Sequence, residues 1–185
     1  MINATDLRPG VTFEYDGNLS VCLDYSHNKT ARAAANIRVK MKNMRTGTTT
    51  EMTFGSNAKV KKAQVEKSKM QYLYDNGGML VFMDNETYDQ VEIPADRLEW
   101  EINFMKPSDN VEVTSYEGEI LGVALPVNVP FKIIETEAAV KGDTATGATK
   151  PATVETGATV YVPLFVEQDD VIKIDTRTGE YLSRV

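Results

Sequence analysis

The chain has 185 residues, 42% of them hydrophobic and 25% charged, the balance of a soluble globular protein with room for one ordinary domain or two or three small ones. No apolar run is long enough to cross a bilayer, and Met1 to Gly10 lacks a basic stretch followed by an apolar core, so no membrane span or signal peptide is expected and the cytoplasm is the expected compartment. The single cysteine, Cys22, excludes an internal disulfide, and the single histidine, His27, excludes a triad or metal cluster built on several histidines.

Strand signals dominate from the N-terminus onward. Thr12 to Tyr15 and Leu19 to Leu23 flank Asp16-Gly17-Asn18, a hairpin signal. Ile37, Val39 and Met41 alternate with Arg38, Lys40 and Lys42, a period of two that predicts a strand. Asn43 to Gly47 then turns the chain into Thr49 to Phe54, which completes a small sheet or barrel over residues 1–64. In residues 65–128, Met79 to Met83 reads as a buried strand after Asn76-Gly77-Gly78, and Val111 to Tyr116 pairs with Ile120 to Val123 across Glu117-Gly118. Between them one helix is predicted: Pro94 suits its first turn, Leu98, Ile102 and Met105 share a face, and Pro107 stops it. In residues 129–185, strands are predicted over Phe131 to Glu135, Val160 to Val166, Val171 to Asp175 and Glu180 to Leu182, the last after a turn at Arg177-Thr178-Gly179. Gly142 to Gly157 is rich in Thr, Gly and Ala and is expected to be a long loop or hairpin tip. Short strands at regular intervals imply all-β barrels.

Catalytic chemistry finds little to stand on. There is no Cys-x-x-Cys, His-Glu-x-x-His or Walker phosphate loop. Cys22 lies in an apolar strand and reads as a core residue, and His27 as an exposed or hydrogen-bonded one. Spacing alone leaves a carboxylate pair open as an acid–base couple. The net charge of −7 argues against nucleic acid only until it is divided: residues 1–64 carry +5, residues 65–128 carry −9 and residues 129–185 carry −3. Such asymmetry suggests that one end meets a polyanion, although an unevenly charged solvated surface gives the same count. From Asp24 to Glu51 no acidic residue intervenes, while Lys29, Arg32, Arg38, Lys40, Lys42 and Arg45 accumulate. Small residues around Arg32, in Lys29-Thr30-Ala31-Arg32-Ala33, would present one long cation at a slim loop tip, suited to forked hydrogen bonds with phosphate. Arg38, Lys40 and Lys42 share a strand face that could line a phosphate backbone.

At the C-terminal end, Lys150-Pro151-Ala152-Thr153-Val154-Glu155-Thr156-Gly157 leads into Val160-Tyr161-Val162-Pro163 and Val166. With Met70 to Tyr74, Val81 to Asp84, Glu135 to Glu137, Lys141 to Thr144 and Tyr181 to Arg184, these stretches resemble the bacterial elongation factor P family over essentially the full length. One departure is Asp169, where the family usually has Gly, which is expected to alter a turn.

The resemblance implies an SH3-like (KOW-type) domain over 1–64 and two OB-like domains over 65–128 and 129–185, in an L-shaped arrangement that mimics tRNA. It implies a monomer that is not an enzyme, needs no cofactor or metal, and binds the 70S ribosome between the P and E sites to relieve stalling at consecutive prolines. Arg32 then contacts the CCA end of peptidyl-tRNA, with Lys29, Thr30, Ala31, Ala33, Arg38, Lys40 and Lys42 facing RNA. Gly142, Asp143 and Thr144 contact mRNA at the E site, and Tyr181 and Arg184 face the small subunit. Many members carry Lys in a Pro-Gly-Lys-Gly tip, and Thr30-Ala31-Arg32-Ala33 departs from that. Lysine-specific modification is therefore excluded, and Arg32 is either rhamnosylated by an arginine rhamnosyltransferase or bare, as in an elongation factor P-like paralogous group with a Thr-Ala-Arg loop. Two other classes stay open from the residues alone: a generic OB-type binder of single-stranded nucleic acid, which needs exposed aromatics on a barrel face, and a carboxylate-pair enzyme with a deep acidic pocket.

Overall fold

The computed structural model describes residues 1–28, 35–139 and 147–185. Alternation builds the first sheet from β1 (Ile2–Asn3), β2 (Thr12–Tyr15), β3 (Asn18–Asn28), β4 (Asn36–Asn43), β5 (Thr49–Gly55) and β6 (Lys59–Lys62), in the order β1-β6-β2-β3-β4-β5. Asp16 (φ 50°) and Gly17 (φ 74°) are both left-handed, the backbone that a two-residue hairpin turn demands between β2 and β3. On β4, Ile37, Val39 and Met41 point into a core with Phe13, Cys22 and Phe54, while Arg38, Lys40 and Lys42 face out. Burial also pushes the Cys22 thiol above its ordinary pKa, which suits a packed residue and not a nucleophile.

The second sheet holds β7 (Glu66–Asn76), β8 (Met79–Asp84), β9 (Gln90–Pro94), β10 (Asn110–Tyr116) and β11 (Glu119–Ala124), in the order β11-β10-β7-β8-β9. The third holds β12 (Asn128–Thr136), β13 (Thr149–Val154), β14 (Thr159–Pro163), β15 (Val171–Asp175) and β16 (Glu180–Arg184), in the order β14-β13-β12-β15-β16. Its core gathers Phe131, Ile133, Val154, Val162, Ile172 and Ile174. The architecture is all-β, built of barrel-like sheets. By compactness the chain forms two units, Met1–Glu66 with Thr114–Leu121, and Lys67–Val113 with Gly122–Val185.

Two local expectations are corrected. The helix predicted after Pro94 is two 3-10 turns, Ala95–Leu98 and Glu101–Phe104. At three residues per turn Leu98 and Phe104 lie on one side, and both are buried, whereas Ile102 is only half-buried. The polar stretch expected as a loop up to Gly157 contains β13, whose Lys150, Ala152 and Val154 face inward. Asp169 has a left-handed backbone (φ 71°), a conformation that Asp tolerates, and its carboxylate lies 2.9 Å from Lys132 Nζ.

Candidate RNA-facing surface

β3 and β4 stay paired from Ser20↔Asn43 to Asn28↔Asn36, with a bulge at Leu23. β5 covers the other side of β4 as far as Asn36↔Gly55. The three-stranded ribbon thus stays paired as far as Asn28, Asn36 and Gly55. Lys29, Thr30, Ala31, Arg32 and Ala33 lie outside the described residues, as do Gly142, Asp143 and Thr144.

Arg38, Lys40 and Lys42 are exposed on one face of β4. The register sets Lys40 between Asp24 and Glu51, and Arg38 Nε lies 3.0 Å from Glu51 Oε1. The acid-free interval from Asp24 to Glu51 thus closes on itself, and its two flanking carboxylates border the cations they had seemed to exclude. Lys42 stands between Val21 and Thr49. Among the described residues neither Lys40 nor Lys42 joins an ion pair. Sequence reasoning missed this partial neutralisation, though the turn at Asn43 to Gly47 fixes the register and would have given Lys40↔Glu51 by counting. His27 is exposed and paired with Ile37.

Elsewhere in the first unit, Glu14 Oε2 lies 3.0 Å from Lys61 Nζ. The bond from Lys61, then one from Tyr116, holds the Glu14 carboxyl below its ordinary pKa, and the same bond pushes the Tyr116 hydroxyl up. Tyr116 is buried beside Leu19 and Ala63. Arg45 Nε is bonded to both Glu119 carboxylate oxygens at 3.1 and 3.2 Å, with Nη2 adding a third contact at 3.1 Å.

On β16, Tyr181 and Arg184 are three apart and would fall on opposite faces of a regular strand. A bulge at Leu182 pairs Tyr181 with Ile174 and Arg184 with Ile172, which brings both to one face. Tyr181 packs on the third-sheet core, while Arg184 sits 5.4 Å over Phe165 and 3.6 Å from Asp170. A cleft of about 670 Å³ in the same unit is lined by Trp100, Phe104, Tyr161 and Tyr181, with Glu180 its one acid among the described residues. Among the described residues no group of three His, Cys, Asp or Glu is poised to hold a metal, and no helix is long and apolar enough to cross a membrane.

Family models match all three sheets: the elongation factor P KOW-like domain over residues 3–60, its OB domain over 65–123 and its C-terminal domain over 129–184. Solved structures share the fold. Eukaryotic translation initiation factor 5A from Methanococcus jannaschii superposes with a TM-score of 0.55 at 24% identity, over 67% of this chain and 91% of that one. A translation initiation factor eif-5a family protein from Naegleria fowleri gives 0.52 at 16% identity, over 67% and 96%. A KOW-like domain, an OB domain and a C-terminal domain that each match elongation factor P models place the chain in the class of translation factors. Elongation factor P of Agathobacter rectalis is 51% identical over 185 residues, that of Alkaliphilus metalliredigens 50% over 185, and that of Moorella thermoacetica 47% over 184, each covering 100% of both chains. The chain belongs to the bacterial elongation factor P family, and it is a translation elongation factor.

Proposed function

We propose that this elongation factor binds the 70S ribosome between the P and E sites and speeds peptide bond formation at consecutive prolines. Arg32 holds the CCA end of peptidyl-tRNA. Lys29, Thr30, Ala31 and Ala33 accompany it, and Arg38, Lys40 and Lys42 follow the RNA backbone. Gly142, Asp143 and Thr144 face mRNA at the E site, and Tyr181 with Arg184 faces the small subunit. The observation that carries this reading is full-length family membership. It is supported by a ribbon whose outward cations sit on the strand that follows the Arg32 segment. Proline is a poor partner in peptide transfer because its ring restricts both nucleophile and nascent chain. The ribosome supplies the reaction centre, and this chain supplies positioning, an entropic contribution that needs no proton transfer from it.

Thr30-Ala31-Arg32 favours a bare arginine over one rhamnosylated by an arginine rhamnosyltransferase, and thereby the elongation factor P-like paralogue as a second reading. Intact mass of protein from its native cell separates the two, since rhamnosylation adds one deoxyhexose. The reading is tested by reconstituted translation of a template encoding three prolines. The protein should speed passage through the proline run and leave a proline-free template unchanged, and Arg32→Ala should abolish the gain. An Arg32→Ala variant with full rescue would remove that side chain from the mechanism.

A further inference from the structure

β13 lies between β14 and β12 in the third sheet, yet it contains Pro151. Proline has no N–H to give to a ladder and is ordinarily confined to edge strands or bulges. The Pro151 carbonyl accepts from Thr136 Oγ1 at 3.1 Å, so the residue turns toward β12, the side on which its own donor is missing. Backbone pairing of β12 with β13 reaches Thr136↔Ala152 at this end. Beyond it, Lys150 reaches back with its ammonium and donates to the Glu137 carbonyl at 2.8 Å. Lys150 is buried, with only 6% of its surface exposed. Burying a lysine is costly, and among the described residues its ammonium donates to a neutral carbonyl, a modest return unless the bond has another use.

We propose that Lys150 is a positioning residue: its ammonium replaces the rung that Pro151 cannot make and locks the neck of the β12–β13 hairpin at Glu137. Thr136 supplies the companion bond. The lock fixes the points at which the connection between the two strands departs and returns. This rests on the reading in which Gly142, Asp143 and Thr144, carried by that connection, face mRNA.

The test compares Lys150→Met, which keeps the apolar stem and deletes the ammonium, with Val154→Ala, a core truncation on the same strand. Amide hydrogen exchange of the full chain should show protection at residues 135–139 and 147–150 falling about tenfold in K150M, the scale of one lost charge-assisted bond. Rescue of the triproline template should fall about fivefold or more in K150M, since small misplacement is expensive where catalysis is by positioning. V154A should melt at a lower temperature than K150M and keep rescue within about twofold, because loss of core volume acts on stability and not on the neck. Unchanged neck protection in K150M overturns the lock. Rescue that falls in proportion to melting temperature in both variants overturns positioning and leaves Lys150 as a stability residue. If wild-type protein gives no rescue, the ribosomal reading has failed, and hydrogen exchange alone decides whether the lock exists.

Discussion

The two units are closed by seams of different chemistry. In the first, Thr114–Leu121 meets Met1–Glu66 through one buried ring, Tyr116, ringed by ions: Glu14 with Lys61, and Arg45 forked on Glu119. The Arg45 and Glu119 side chains are 38% and 46% exposed, so water and salt reach the pair. In the second, Trp100 donates its indole N–H to the Thr176 carbonyl at 2.8 Å, Thr156 donates to the Asn103 carbonyl at 2.6 Å, and Phe104 meets Phe131 at 6.2 Å between ring centroids. Lys106 lies 5.1 Å from the Phe131 ring centre and 3.1 Å from Glu155. Burial works to raise the Glu155 carboxyl, but the Lys132 N–H and the Lys106 ammonium outweigh it and hold the pKa below its ordinary value. The first seam should respond to salt and pH, and the second to lost volume.

The largest expected effect breaks the second seam. Phe104→Ala removes a ring that touches both Trp100 and Phe131 and should cost about 3–5 kcal/mol in chemical denaturation. Gly179→Ala comes next. Gly179 has a left-handed backbone (φ 77°), and an added Cβ would stand 3.2 Å from the Trp100 ring and 3.3 Å from that of Phe104, so a loss of about 1–3 kcal/mol is expected. On the first seam, Arg45→Ala should cost no more than about 1 kcal/mol at low salt and less as salt rises, while the Phe104→Ala penalty holds.

The smallest effect is a slope. Because the Glu14 pKa is lowered in the fold, its stabilisation is complete above the unfolded value near 4.5 and is lost as pH falls through the folded value. Glu14→Gln should therefore melt slightly below wild type at neutral pH and show a flatter decline below about pH 4.5, so that the two proteins converge in acid. A decline that stays as steep would show that other carboxylates set it.

Legibility followed the range of the forces involved. Strands marked by alternation, such as β2 and β4, or by an apolar run after a glycine turn, as in β8, were readable because pattern and turn chemistry are local. β7 went unread: its Met70 and Tyr72 alternate, but a bulge at Leu73 ends the period before it becomes clear. The helix expected after Pro94 failed because the spacing of Leu98, Ile102 and Met105 is a local pattern, whereas Phe104, outside it, packs on Trp100 and Phe131. The cations on β4 were legible as a face, and their carboxylate neighbours were not, since pairing across β3 and β5 is nonlocal. Small neighbours in a basic stretch marked Arg32 as a candidate cation, while resemblance supplied its role and residues 142–144, which no periodicity marks.

Bulges recur through the molecule, at Leu23, Leu73, Ile134 and Leu182. Each is a phase slip of one residue, after which inward and outward exchange places along the strand. Leu23, Ile134 and Leu182 are accordingly displaced toward solvent. Leu182 is therefore the residue the strand could lose: deleting it would restore regular pairing and keep Tyr181 and Arg184, then two apart, on one face. In this fold, a one-residue gap at a bulge would be absorbed, whereas the same gap in a regular stretch would invert the surface beyond it while leaving the composition of the strand almost untouched.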